Sequence, residues 1–353
     1  MVFVTGGTGF IGSYLIYYLL KDNPEIKALK RENSDLKYIK FIFKHLSPFE
    51  PMPNGESWEQ AFERIEWVDG DILDVNSILD ALQDVDIVYH AAALVSYNQK
   101  KRDKIIETNV IGTANIVNAC LQKGIKKLAY LSSVAALPRN DEEKVDETAT
   151  PGDFKFNNAY SESKYRAEME VWRGQAEGLD VTIINPGIVL GWGDFTNSSP
   201  EMFNTIYKGL KVYPTGSTSF IDVRDVAKAL IVLANNEDAL NKRFIAITET
   251  ISYKRLFDMM AAQFQVKPPS IRVQPGLVKL VWIFAEIKAL VTGGQQFVTK
   301  DMAVSSGKNL IFDGSRLKEF LGYDFIPIER TVKDTCKVYL KSITELSHLN
   351  ATF

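Results

Sequence analysis

Along the first half of the chain, short apolar runs alternate with longer segments whose apolar residues recur every three or four positions. The runs Met1–Val4, Glu25–Leu29, Ile65–Val68, Ile87–Tyr89, Leu128–Ser132 and Val181–Ile184 are predicted strands. Ile11–Leu20, Asp103–Gln122 and Ala159–Ala176 are predicted helices. Apolar strands separated by helices argue for a parallel sheet covered on both faces, hence an α/β fold with a doubly wound sheet. After Pro186 the rhythm gives way to loops and shorter elements. Phe220–Val223 reads as a strand, Asp225–Ala234 as a helix, and the tail from Ser252 onward as mainly helical. The pattern predicts a larger domain of residues 1–187 and 220–250. A smaller, discontinuous, mainly helical C-terminal lobe of 188–219 and 251–353 would bind the substrate.

One insertion, from Phe41 to Trp67, breaks the alternation. Pro48, Pro51, Pro53 and Gly55 make its middle a loop. Ser57 and Gln60 have the spacing of a capping box, opening a short segment with Trp58, Phe62 and Ile65 on one face. The expectation is a surface flap packed on the sheet edge.

Composition narrows the class. Apolar residues make up 46% of the 353, enough for a packed interior, and the net charge of -3 points to neither nucleic acid nor an anionic membrane. Cys120 and Cys336 are too few for a disulfide framework and fit a reducing compartment, with Cys120 expected as a buried thiol. Met1 leads straight into the first strand pattern, without the charged lead and apolar core of an export signal, so a cytoplasmic location is expected. The most apolar stretch, Leu277–Val291, carries Lys279, Glu286 and Lys288; it is too short and too charged for a membrane span and is expected in the lobe core or a dimer interface, with a membrane-facing or lipid-substrate role as the alternative.

The chemistry begins at Thr5-Gly6-Gly7-Thr8-Gly9-Phe10-Ile11-Gly12, between the first strand and the first helix. Glycine permits the tight turn, and a missing side chain at Gly9 lets the backbone approach a pyrophosphate. The helix N-terminus then offers unpaired N–H groups to phosphate. Tyr160 and Lys164 are four apart on a predicted helix and share a face. An ordinary tyrosine ionises near a pKa of about 10, and an adjacent ammonium lowers that value, fitting Tyr160 for acid–base work.

The ordered set of motifs resembles the extended short-chain dehydrogenases/reductases, in the dihydroflavonol-reductase and 3β-hydroxysteroid-dehydrogenase branch. TGGTGFIG opens the chain. Gly70-Asp71-Ile72 follows the third strand, His90-Ala91-Ala92-Ala93 the fourth, and Thr108-Asn109-Val110-Ile111-Gly112-Thr113 lies in the central helix. Tyr160-Ser161-Glu162-Ser163-Lys164 matches the catalytic helix, and Asn185-Pro186-Gly187 stands where the family usually has Arg-Pro.

The resemblance implies a Rossmann domain and NADP (NADPH), with NAD as the alternative. The cofactor is expected along Gly6, Gly9, Phe10, Ile11, Gly12, Asp71, Ile72, Ala91, Ala92, Ala93, Asn109, Pro186, Gly187 and Val189. Tyr160 is the expected proton carrier, Lys164 also holds the nicotinamide ribose, and Ser133 bonds the reacting oxygen; Ser132 is its rival. A small-molecule substrate is implied, and a homodimer is a family-level expectation.

Dehydratases of the family carry an acidic pair directly after the catalytic hydroxyl, where this chain has Val134 and Ala135, which speaks against dehydration. The second predicted strand ends at Lys30-Arg31 rather than at a carboxylate, favouring a 2′-phosphate and hence NADP, with Glu32 as opposing evidence. The leading expectation is carbonyl–alcohol interconversion by hydride transfer; the alternative is an NAD-dependent sugar-nucleotide epimerase. The pocket is expected near Val95, Ser96, Tyr97, the Arg139–Asn158 region, Trp192 and the tail. His90 is expected to be structural, His45 and His348 lack partners at ligand spacing, and no metal is expected.

Overall fold

The computed structural model describes residues 1–96, 98–138, 144–150, 156, 158–273 and 308–350. In chain order its first strands are β1 (Val2–Thr5), β2 (Ile26–Lys30), β3 (Ile65–Asp69), β4 (Ile87–His90), β5 (Lys127–Leu131), β6 (Lys144–Val145) and β7 (Asp180–Pro186). They are followed by β8 (Ile188–Leu190), β9 (Val212–Pro214), β10 (Ser217–Asp222), β11 (Lys242–Ala246), β12 (Glu249–Ser252), β13 (Ile271–Val273) and β14 (Ile311–Phe312). Seven of them form one parallel sheet, in the order β11-β7-β5-β4-β1-β2-β3. The crossover from β3 back to β4 places β1 and β4 side by side, and the crevice above that pair is where such sheets bind ligands.

Helices α1 (Phe10–Asp22), α2 (Lys37–Leu46), α3 (Trp58–Glu63), α4 (Val75–Ala81), α5 (Arg102–Ile106), α6 (Gly112–Lys123) and α7 (Ala159–Ala176) come first. α8 (Glu201–Tyr207), α9 (Val223–Ala234) and α10 (Tyr253–Phe264) follow. One face of the sheet packs Tyr14, Ile16, Phe43, Val226 and Leu230 from α1, α2 and α9. The other packs Ile78, Ile116, Cys120 and Val171 from α4, α6 and α7. Burial on both faces explains why β1 and β7 read as continuous apolar runs.

Three expectations change. The predicted strand Phe220–Val223 forms through Asp222 as the end of β10, with Val223 already opening α9, and it lies outside the main sheet: β10 pairs with β12 antiparallel and with β8 parallel. The seventh main-sheet strand, β11, is not among the predicted strands, because Lys242-Arg243 opens it and leaves only three apolar residues. The predicted helix Asp103–Gln122 forms as α5 and α6 joined by a π-helical turn, Glu107–Ile111. Such turns recur at functional sites, and this one holds Asn109.

The insertion packs as expected on the sheet edge. Gln60 N–H donates to Ser57 Oγ at 3.2 Å and Ser57 N–H to Gln60 Oε1 at 2.9 Å, completing the capping box. Phe62 meets Phe43 edge-on and tilts against Trp67. A second core forms from Leu190, Phe203, Phe220, Met260, Cys336 and Tyr339. The tail returns through β14, which pairs with β6. Leu277–Val291 lies outside the described residues, and no described helix is long and apolar enough to cross a membrane.

Candidate active site

The first loop is built almost wholly of backbone. Gly6 has φ +73°, and a Cβ there would sit 2.5 Å from Ala92 N, so the loop after β1 lies directly against the Ala91-Ala92 backbone after β4. A Cβ on Gly12 would sit 2.1 Å from Gly6 O, closing the turn from beneath. Gly9 differs. Its backbone is extended (φ -85°), and an added Cβ would meet only Gly6 O, at 3.2 Å. The space a side chain would take there is open. α1 has no side-chain cap and no acidic residue in its first turn, leaving its N-terminal amides available to an anion. This cradle fits a dinucleotide pyrophosphate. The Phe10 ring packs edge-on to Tyr14 and against Gly193, so only its amide can serve the cradle.

At the end of β4, His90 is buried between two hydroxyls: Thr5 Oγ1 lies 2.6 Å from Nδ1 and Thr113 Oγ1 3.0 Å from Nε2. Burial pushes its pKa down to about 3, so the ring is neutral and structural, as expected. Asn109, presented by the π turn, accepts from Leu94 N at 2.7 Å and donates to Leu94 O at 3.1 Å and Ser163 Oγ at 2.9 Å. It fixes the loop after the Ala91–Ala93 run; its side chain is engaged within the protein. Asp71 caps its own turn through Leu73 N, and Ile72 packs beneath Gly112. Gly187 N donates to Ala246 O at 3.0 Å, and Val189 O accepts from Ser199 Oγ.

The catalytic candidates converge where β5 meets α7. Asn158 caps α7, its Oδ1 accepting from Ser161 N at 2.8 Å. Tyr160 and Lys164 then follow one turn apart, both largely buried. Lys164 Nζ donates to Leu131 O at 2.7 Å and Tyr130 Oη at 3.0 Å, and it lies 4.6 Å from the Tyr130 ring centre. Burial pushes the Lys164 ammonium down to about 7, against the opposing pull of Glu168. Ser133 is half-buried at the strand end, its Oγ accepting from Ala135 N at 3.1 Å. Ser132, its rival, is buried and donates to Glu168 Oε2 at 2.6 Å, away from the ligand edge.

Several neighbours escaped the sequence reading: Tyr130, Glu168 and Arg243. Glu168 carried a signal, since it sits four residues after Lys164 on the same helix face. Two expectations are corrected. Trp192 is fully buried against Tyr14, Phe49 and Arg224, so it packs as a core plug among the described residues. Lys30 is paired with Asp69, because the parallel register sets β3's last residue beside it. Arg31, one residue on, is exposed and ion-paired to no described residue. Val95 is exposed and Ser96 half-buried. Tyr97 and most of the Arg139–Asn158 region lie outside the described residues.

Fold and site together define a nucleotide-binding oxidoreductase of the Rossmann class. Residues 2–247 match the NAD dependent epimerase/dehydratase family, and the chain belongs to it. It is 30% identical over 340 residues to a putative dihydroflavonol 4-reductase of Synechocystis sp., covering 94% of this chain and 92% of that one. It is 27% identical to cinnamoyl-CoA reductase 1 of Petunia hybrida, over 99% and 93% of the two chains. Among solved structures, gox2253 superposes with a TM-score of 0.77 at 27% identity, over 97% of this chain and 98% of that one. A UDP-glucose 4-epimerase of Thermotoga maritima shares the fold, with a TM-score of 0.73 at 19% identity over 97% and 99% of the chains.

Proposed function

We propose that this chain is an NADP-dependent oxidoreductase that interconverts a carbonyl and an alcohol through Ser133, Tyr160 and Lys164. The observation that carries the reading is Lys164: a buried amine anchored to the end of β5, one helical turn from Tyr160 and beside the strand end that carries Ser133. A nicotinamide held in this site would supply or accept the hydride. In reduction Tyr160 donates a proton to the carbonyl oxygen; in oxidation it takes that proton back. Ser133 donates a hydrogen bond to the same oxygen, stabilising its developing charge. Lys164 favours the phenolate of Tyr160 electrostatically.

The α1 amides and the open space at Gly9 hold the pyrophosphate, and Arg31 takes the 2′-phosphate. Asp71 and Ile72 would hold the adenine end, while Ala91–Ala93, Pro186, Gly187 and Val189 would hold the remainder of the cofactor. Asn109 holds the fourth-strand loop in place for it. The named relatives suggest where to begin a substrate search: dihydroflavonol-like ketones and cinnamoyl thioesters, followed over NADPH oxidation.

Tyr160→Phe keeps the ring and removes the transferable proton. It is expected to lower turnover by about 10²–10⁴-fold while NADPH titration stays near wild type. Wild-type turnover in Tyr160→Phe overturns the assignment.

A further inference from the structure

Glu168 is a buried carboxylate in this region that no catalytic step uses. Its side chain is 1% exposed, and each oxygen receives two donors. Oε2 accepts from Ser132 Oγ at 2.6 Å and Asn185 Nδ2 at 2.8 Å; Oε1 accepts from Arg243 at 3.0 Å and Trp172 Nε1 at 3.4 Å. The donors come from the end of β5, from β7, from β11 and from α7 itself. Burying a carboxylate is expensive unless every lone pair is met, and an apolar side chain of similar size would fill the same space without that demand.

Each partner bears on the catalytic end. Asn185 Nδ2 also donates to Ser133 O at 3.0 Å, so two hydrogen bonds link Glu168 to the backbone of the catalytic serine. Ser132 N is held by Ile184 O at 2.8 Å while its hydroxyl is held by Glu168. The first serine is thereby fixed at backbone and side chain, and the second is left to project at the ligand edge.

We propose that Glu168 is a positioning residue that fixes the end of β5, and so the place of Ser133, and that it balances Lys164 across one turn of α7. This rests on the catalytic reading of Ser133 and Lys164. The groups that act on Lys164 are Tyr130 from β5, His90 from β4 and Glu168 from its own helix, with Tyr160 one turn before it on the same helix. His90 is neutral and cannot balance an ammonium. Glu168 supplies the negative charge, and Arg243 pairs with its far oxygen.

The test is Glu168→Gln, which keeps the volume and an acceptor but removes the charge. Two readouts separate positioning from mere structure. The first needs no substrate: the pH midpoint of the Lys164 side-chain NMR resonance, assigned by its loss in Lys164→Met, moves to lower pH. The second is kcat for NADPH-coupled carbonyl reduction, expected to fall about 10- to 100-fold as Ser133 loses its placement, with NADPH affinity within a few-fold of wild type. A folded Glu168→Gln protein that keeps the wild-type midpoint, or the wild-type kcat, overturns the proposal. Should that variant not fold, Asn185→Ala cuts the link to Ser133 and leaves the charge. Its kcat is expected to fall with the midpoint unmoved, and a wild-type kcat overturns the proposal. Tyr160→Phe in the same assay isolates the two ideas. If it is inactive while Glu168→Gln is normal, the role of Glu168 alone fails; if it retains turnover, the catalytic reading fails.

Discussion

The ligand edge of the sheet is built from different materials at its two ends. Above β1 and β4 the walls are backbone: Gly6 pressed on Ala91-Ala92, Gly12 on Gly6, and the bare amides of α1. At β5 and β7 the walls are buried polar side chains, with Lys164, Glu168, Ser132 and Asn185 all nearly inaccessible. The first end recognises shape and phosphate through fixed dipoles. On the proposed reading the second end manages a proton, which requires ionisable groups in a dry environment, each with its partners. Added volume should therefore break the first end, and a change of charge the second.

The largest effect is expected from Gly9→Val. The backbone at Gly9 is extended and its would-be Cβ meets little protein, so the fold should tolerate valine. Its branches fill the space assigned to the pyrophosphate. Losing even two charged hydrogen bonds of about 1.5–3 kcal/mol each weakens NADPH binding by about 100-fold or more. Gly12→Ala separates shape from ligand: its Cβ would strike Gly6 O, and the misfit should lower stability by about 1–3 kcal/mol. Thermal melts and fluorescence titration check both. A Gly9→Val protein with normal NADPH affinity removes the cradle from the account.

At the other end the prediction is a change of stability with pH. Below about pH 7 both the folded and the unfolded chain carry the Lys164 proton, and the full cost of its burial is present. Between pH 7 and the ordinary lysine value of about 10.4, the unfolded chain holds a proton at Lys164 that the folded chain lacks, so the Lys164 contribution to stability rises with pH. Lys164→Met removes that dependence. Its melting temperature relative to wild type should be most favourable at pH 6 and fall steadily toward pH 10. The bonds lost to Leu131 O and Tyr130 shift the difference by a similar amount at every pH. A difference that stays constant from pH 6 to 10 sinks the argument.

The same contrast explains what the sequence disclosed. Backbone-built sites show in sequence as glycines, because no other residue fits Gly6 or Gly12, and their order along the chain supplies the strand–loop–helix context. Tyr160 and Lys164 were legible through their spacing on one helix. Most of their support was not: Glu168 shares the helix and its spacing, but Arg243 and Tyr130 lie on other elements and meet it only through the order of β5, β7 and β11. β11 itself was hidden, since Lys242-Arg243 makes its first residues look like surface. Trp192 misled because an aromatic residue after β8 reads as well as a pocket wall as it does a core plug; the second role follows from Tyr14 and Phe49, far away in sequence.

The smallest expected effects concern the cations after β2. Both Lys30 and Arg31 looked available to a 2′-phosphate from the sequence. The parallel register sets Asp69 beside Lys30, and the two pair. Arg31 follows the strand, in a turn closed by Ser34 N donating to Arg31 O at 2.8 Å, and its guanidinium is paired with no described residue. A planar fork of donors also matches phosphate better than an ammonium does. Arg31→Ala is therefore expected to raise the NADPH Kd about tenfold, roughly 1.4 kcal/mol, with little change for NADH. Lys30→Ala should do less, because the charge removed is already balanced. Asp69→Asn tests that reasoning directly: releasing Lys30 should tighten NADPH by a few-fold and leave NADH unchanged, an effect that fades as salt rises. Titrations with both nucleotides decide the matter. Equal loss of NADPH and NADH in Arg31→Ala, or tighter NADH than NADPH in wild type, would remove the 2′-phosphate from this corner of the site and strengthen the epimerase alternative.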